Sequence, residues 1–327
     1  MMRGEILASC AMGRLLHIDF TLRLPVSGPM DRKSNMDLVG AVALTVFAIH
    51  LGFNQVVIKV TAGGFSPVFS AGLRSAGAVL VLLVWMYLRG VRIALPRRAW
   101  VGGILSGLLF ALEFTCAFTA LDLSTVSRVS VIFYSMPVWL ALMAHFLLPG
   151  ERLTAGRGLG LMLAMAGVAL ALLDRNSGAA SWTGDILSLA AALCWAGIVL
   201  CVRLTPLSEV PPAQQLICQV AISAPILLLI APLFGPLMRE VEPIHIAGLI
   251  FQILAVASFG YLIWFWLMTI YPASSVASFS FLSPVFSVIC GWMILSEEVA
   301  LSIWAALALV AAGIYLINRK PGRARSA

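Results

Sequence analysis

Arg74 and Glu113 are the residues of this sequence whose chemistry is most at odds with their surroundings. Each stands alone among the charged groups of a long apolar run, where an ionised side chain is costly unless something answers its charge. Arg74 lies eight residues after the start of its run, and Glu113 lies eight before the end of the next. At 1.5 Å of rise per residue, consecutive antiparallel helices would hold both about 12 Å below the same surface. That depth permits an ion pair, which offsets part of the cost of burying each charge alone. Such a pair has two uses: a clamp between neighbouring helices, or a site that binds a charged solute or carries a proton.

A looser set of polar groups accompanies the pair. His50 and Asn54 are four residues apart and so share one face of a helix, with Gln55 and Lys59 adjoining. Tyr134 lies nine residues into its own run, at a depth like that of Arg74. In the second half Gln214, Gln215 and Gln219 lie near the start of one run, and Gln252, Tyr261 and Trp264 share another. Amide, phenol and indole groups of this kind could line a chamber for a zwitterionic or aromatic solute. Each could equally make an ordinary interhelical hydrogen bond or anchor an interface.

Other chemistries find little support. The six cysteines have no metal-ligand spacing, and five lie in apolar runs, so they read as small buried hydrophobes. No HExxH, paired aspartates or nucleophile with a base at matching depth suggests an intramembrane enzyme. Gly156, Gly158 and Gly160 follow no strand, so they form no dinucleotide loop. No phosphate-binding loop occurs, which excludes ATP-driven work by this chain. No cofactor or metal is expected.

The elements that must position these groups follow from composition. The chain has 327 residues, 61% hydrophobic and only 11% charged, against about 25% charged in a soluble domain. Apolar runs long enough to cross a bilayer as helices recur from Leu38 to Asn318. The expected spans are 38–60, 66–89, 99–121, 125–147, 154–174, 183–206, 212–234, 244–270, 273–296 and 299–318. The fold class is therefore an all-α membrane protein of ten transmembrane helices. Residues 1–37 read as a disordered cytoplasmic extension and 319–327 as a basic cytoplasmic tail.

With the N-terminus in the cytoplasm, sixteen of the 21 basic residues fall on that side and four on the other, Arg74 being within a span. The positive-inside rule then puts both termini in the cytoplasm. The net charge of +7 is spread over short loops and the tail, so it reflects topology and not nucleic-acid binding.

The chain also repeats itself. Phe133-Tyr-Ser-Met-Pro137-Val138 is echoed by Phe281-Leu-Ser-Pro284-Val285, and Gly150-Glu151 by Glu297-Glu298. Pro137 to Pro284 and Glu151 to Glu298 are both 147 residues apart. The unit is five spans used twice, over 38–174 and 183–318, and an odd count turns the second copy upside down. Inverted repeats of this kind build secondary transporters with a site near the midplane. Gln219 and Gly260 stand where Arg74 and Glu113 do, so the charged pair is not an architectural need of the unit. Pro137 and Pro284 each remove one backbone bond at the same place in the repeat and are candidate hinges.

Several of these residues carry a family resemblance. Leu51-Gly-Phe-Asn54, Ser66-Pro67 followed by Arg74, Ala120-Leu121 followed by Ser124 and Ser127, and Met136-Pro137-Val138…Gly150-Glu151-Arg152-Leu153 with its second copy Ser283-Pro284-Val285…Glu297-Glu298 resemble the drug/metabolite transporter superfamily. The similarity is to its ten-helix EamA-type members and covers about 38–318. It implies two EamA-like domains and a carrier in a bacterial-type inner membrane. The expectation is a secondary transporter of a small amino-acid-like, aromatic or drug-like solute, working by alternating access and commonly as an exporter. A proton is a candidate coupling ion, with Glu113 its carrier and His50 the second choice, and a homodimer is compatible with the reading. The competing expectations are a non-transporting scaffold or sensor and, behind it, an intramembrane enzyme.

Overall fold

The structure is a computed structural model that describes residues 37–91, 94–148, 154–174, 181–271, 279 and 282–318. The expectations for residues 1–36, for Gly150 to Leu153 and for the tail from 319 lie outside the described residues. Within them the protein is all helix apart from turns, with one isolated antiparallel bridge between Phe65 and Met238.

The helices are α1 (Leu38–Thr61), α2 (Pro67–Leu88), α3 (Trp100–Leu123), α4 (Val126–Phe133), α5 (Met136–Leu147) and α6 (Ala155–Leu173). There follow α7 (Trp182–Leu204), α8 (Pro212–Ile230), α9 (Pro243–Phe251), a π-helical segment (Gln252–Gly260), α10 (Tyr261–Ile270), α11 (Leu282–Leu295) and α12 (Leu301–Asn318). Counting α4–α5 and α9–α10 as single interrupted spans, eight helices are long and apolar enough to cross a membrane. The last two, α11 and α12, are shorter apolar helices.

Helix starts follow local chemistry. Asp37, Ser66, Thr125, Thr154 and Ser181 each accept a backbone N–H from the first turn they precede. Such a cap satisfies a donor that the helix itself leaves unpaired and contributes about 1 kcal/mol.

Two interruptions matter for function. Pro137 has no N–H to offer the carbonyl of Phe133, and the chain leaves the helix at Tyr134 and Ser135 before resuming as α5. The Ser135 hydroxyl bonds the Ile132 carbonyl across this break at 2.5 Å. Pro284 lies buried within α11. The span expected at 244–270 holds the second interruption, the π segment, which no proline signals. There the Ser258 hydroxyl bonds the Ile253 carbonyl five residues back at 2.7 Å. His50 Nε2 donates to the Ala255 carbonyl at 3.1 Å.

Packing is pairwise and close. α6 runs against α12, α3 against α7 and α8, α2 against α8 and the π segment, and α1 against α9 and α11. At Gly52 an added methyl would lie 2.7 Å from the Ser287 nitrogen, so α1 and α11 meet backbone to backbone. Gly160 and Gly313 do the same for α6 and α12, as small residues do in membrane bundles. A cluster of Val131, Ile132, Val138, Val168, Val288, Ile303 and Val310 joins α4, α5, α6, α11 and α12.

Candidate functional site

The polar groups expected to line a chamber converge from several helices. Arg74 on α2 is only 3% exposed and Glu113 on α3 only 5%. The expected ion pair between them is not made: no nitrogen–oxygen approach comes within 4.0 Å. Arg74 instead lays its guanidinium over the Phe114 ring, 4.5 Å from the centroid, with Phe118 at 5.6 Å. Helical spacing explains the substitution. Phe114 and Phe118 are one turn apart on α3, so their rings form a continuous wall that a planar cation can face.

The Tyr261 phenol lies within hydrogen-bonding reach of Arg74, and both feel the charge of Glu113. One guanidinium nitrogen, Nη1, is buried with no acceptor among the described residues. Glu113 accepts no hydrogen bond from any described residue. Cys116 on the same helix and Cys194 on α7 are the other titratable groups facing it.

Tyr134, at the break between α4 and α5, takes a hydrogen bond from Gln55 at 3.3 Å and reaches Ser287 on α11. Trp195 stacks on Phe133 at 5.1 Å and closes that side from α7. Asn54 is buried, and its Oδ1 has no partner among the described residues. On α1, at about 100° per residue, Asn54 falls between His50, which touches the π segment, and Gln55, which touches Tyr134. It therefore points into the gap between the α10 side and the α4 side.

The remaining sequence candidates are placed elsewhere. Gln252 is fully buried and donates to the Thr61 hydroxyl at 2.9 Å, tying the π segment to the end of α1. Trp264 stacks on Phe47 at 5.1 Å in a separate cluster with Leu44 and Leu267. Gln219 is half-buried on α8 with no hydrogen bond to a described residue. Gln215 donates to the Leu207 and Val210 carbonyls and staples the preceding turn.

Two polar assemblies were not expected. Arg128, one of the four basic residues that the sequence puts on the outer side, is fully buried and pairs with Asp185 through Nε and Nη2, at 2.6 and 2.9 Å. It also donates to the Asp174 and Leu172 carbonyls. The signal was available: Arg128 and Asp185 each lie in the first turn of an apolar helix, at the same end of the bundle.

The second assembly closes the end of the bundle that carries the α1–α2 and α3–α4 turns. Glu297 accepts the Val126 and Ser127 amides at 2.6 and 3.0 Å and the Ser127 hydroxyl at 2.7 Å. Lys59 donates to the Ser124 and Asp122 carbonyls, and Arg239 grips the Asp122 carboxylate with two bonds of 2.8 Å. Arg239 also holds the Ala62 carbonyl, beside the Phe65–Met238 bridge.

The model of the EamA-like transporter family matches residues 38–173 and again residues 182–319. The chain belongs to the EamA-like transporter family. It is accordingly a multi-pass membrane transporter, and nothing in that membership points to an enzyme. The EamA-like chain is 27% identical over 285 residues to an uncharacterised transporter of Bacillus subtilis (strain 168), covering 86% of this chain and 92% of that one. It is 26% identical over 296 residues to a protein of Escherichia coli (strain K12) named a probable amino-acid metabolite efflux pump, covering 88% and 95%. A protein of known crystal structure superposes with a TM-score of 0.60 at 22% identity, covering 84% of this chain and 96% of the other, which establishes likeness of fold.

Proposed function

We propose that the protein is a secondary transporter that exports a small amino-acid-like, aromatic or drug-like metabolite across the inner membrane by alternating access. The observation that carries this reading is the buried polar cluster of Arg74, Glu113, Tyr261, Asn54 and Tyr134. Its members come from both family-matched halves and include a guanidinium nitrogen that no described residue accepts from, inside an apolar bundle. Intramembrane charges of this sort mark solute and ion pathways.

An inverted two-fold arrangement of five-span halves over 38–174 and 183–318 fits the packing. Exchanging each span of one half for its counterpart in the other turns α3 on α7 into α9–α10 on α1. It likewise turns α3 on α8 into the π segment on α2, and α4–α5 on α7 into α11 on α1. All of these contacts are present. The pairs α6–α12 and α2–α8 map onto themselves. The basic residues then place both termini in the cytoplasm and the Glu297 assembly on the outer face. In this orientation the outer ends are tied together, as a form closed to the exterior requires. Pro137, at the start of α5, and Pro284, within α11, are the positions about which halves of those spans would swing. Glu113 is the candidate carrier if a proton is coupled.

Counterflow in proteoliposomes, loaded with a cell extract and read by mass spectrometry, tests the reading without a guess at the solute. Exchange of at least one metabolite, lost in Arg74→Gln, is expected. Absence of exchange for every component would overturn it.

A further inference from the structure

Between α8 and α9 the chain runs as a stiff strap over residues 231–242. Pro232, Pro236 and Pro243 each fix one backbone angle. Gly235 turns the strap at φ 104° and ψ −169°, a conformation open in practice only to glycine. Two backbone bonds pin its middle to the α1–α2 turn. Ser66 N–H donates to the Leu237 carbonyl at 3.0 Å, and Arg239 N–H to the Gly64 carbonyl at 2.8 Å. Among the described residues these are the backbone bonds that 236–241 make. The other peptide groups of that stretch need water or lipid headgroups, which a hydrocarbon core does not supply.

The side chains of the strap have the opposite need. Leu233 is 82% exposed and Met238 64%, and Phe234, Leu237 and Val241 are exposed with them. The charges are mostly spent elsewhere: Arg239 grips Asp122, and the Glu242 carboxylate caps the first turn of α9. An apolar edge held on a rigid backbone marks an interaction surface.

Its neighbours show what covers it. Leu229, one turn before Leu233 on α8, is exposed, as are Ile244, Ile246 and Ile250 on α9. Both helices belong to apolar spans, so these side chains face acyl chains. The apolar surface therefore continues from α8, along the strap, to α9.

We infer that the strap docks on a lipid surface, its apolar side chains set into the boundary between headgroups and acyl chains. With cytoplasmic termini this is the outer leaflet. That boundary meets both needs at once, apolar for the side chains and wet for the peptide groups. A protein partner would have to cover a surface that runs without a border onto the acyl-chain face. Seated in lipid, the strap ties the bilayer to the outer ends of α1 and α3, because Arg239 holds the Ala62 carbonyl and the Asp122 carboxylate.

Spin-label accessibility on the full-length protein in phosphatidylcholine nanodiscs tests the inference. Leu233→Cys and Met238→Cys are labelled singly, with Leu229→Cys as the lipid reference and exposed Ser208→Cys as the water reference. The signal of the parent, from its native cysteines, is subtracted. Molecular oxygen partitions into the acyl region and a nickel chelate stays in water. At both strap positions the oxygen-to-nickel ratio should exceed that at Ser208 several-fold and approach that at Leu229. Nickel-dominated accessibility at either position overturns the inference, since the strap then stands in water. Low accessibility to both reagents also overturns it, since a protein surface then covers the strap. Neither result touches the transporter reading, which rests on the interior cluster.

Discussion

Glu297 and Ser127 are 170 residues apart in sequence and 2.7 Å apart in space. The carboxylate at the end of α11 thus serves as the anionic cap of α4, accepting two backbone N–H groups and one hydroxyl at the positive end of that helix. Lys59 lies close enough to Glu297 to feel its charge while bonding the carbonyls that end α3. Glu297 therefore fastens the end of α11 to α4, beside the lysine that ties α1 to the end of α3. If this end faces outward, opening it means withdrawing Glu297 from α4.

Glu297→Gln should loosen this end without unfolding the protein. The amide accepts through one oxygen and carries no charge, so about 1–3 kcal/mol of closure is lost. Labelling of Tyr134→Cys by a membrane-impermeant thiol reagent should rise several-fold in the Glu297→Gln background, measured against the native cysteines alone. Identical labelling in the two backgrounds would show that Glu297 does not govern access.

The buried Arg128–Asp185 pair predicts a different response. Arg128→Met or Asp185→Leu alone leaves a fully buried charge without its counter-ion, a loss of about 3–5 kcal/mol. The double substitution should recover most of that, because the desolvation cost of both ions disappears together. Thermal unfolding in detergent reports all three. Additive losses in the double variant would mean that the two residues act independently.

How far the sequence foretold these sites depends on the kind of signal. Apolar run length reports helices directly, which is why α1, α2, α3, α6, α7 and α8 lie within a few residues of expectation. Pro137 announced its break because a missing N–H is written in the residue itself. The π segment announced nothing: its extra residue per turn is a matter of backbone register, and Gln252 to Gly260 reads like any apolar helix. It is nevertheless what sets the direction of Tyr261, the first residue after it. Arg74 and Glu113 were legible as charges at matching depth, but depth does not give azimuth. Phe114 took the contact that Glu113 was expected to make. Glu297 was visible as one half of a repeated acidic motif, and its partner could be found only by folding.

Gly52 gives a prediction about contact between the halves. Its backbone lies against Phe286 and Ser287 of α11, where an added methyl would approach to 2.7 Å. Gly52→Ala should push α1 from α11, costing about 1–3 kcal/mol, and disturb the Gln55–Tyr134 bond that links α1 to the α4–α5 break. A fall in melting temperature of several degrees together with reduced counterflow is expected. A variant as stable as the parent would show that α11 yields at this point.

Arg74 allows function to be separated from stability. A clamp residue destabilises when removed, since its partners are orphaned. Arg74 has no direct carboxylate partner, and one of its nitrogens is already unpaired, so its removal orphans little. What is lost is the contact with Phe114, worth about 1–2 kcal/mol when desolvated, and the hydrogen bond with Tyr261, and what is gained is relief from burying a charge. Arg74→Met should therefore melt within a few degrees of the parent while counterflow falls at least about tenfold, the effect of losing one charge-assisted bond to the solute. Arg74→Lys should recover the charge but not the planar stack, and flux should recover only in part. If Arg74→Met instead melts far below the parent and Arg74→Lys restores both stability and flux in full, the residue is a clamp, and the site must be sought on other helices.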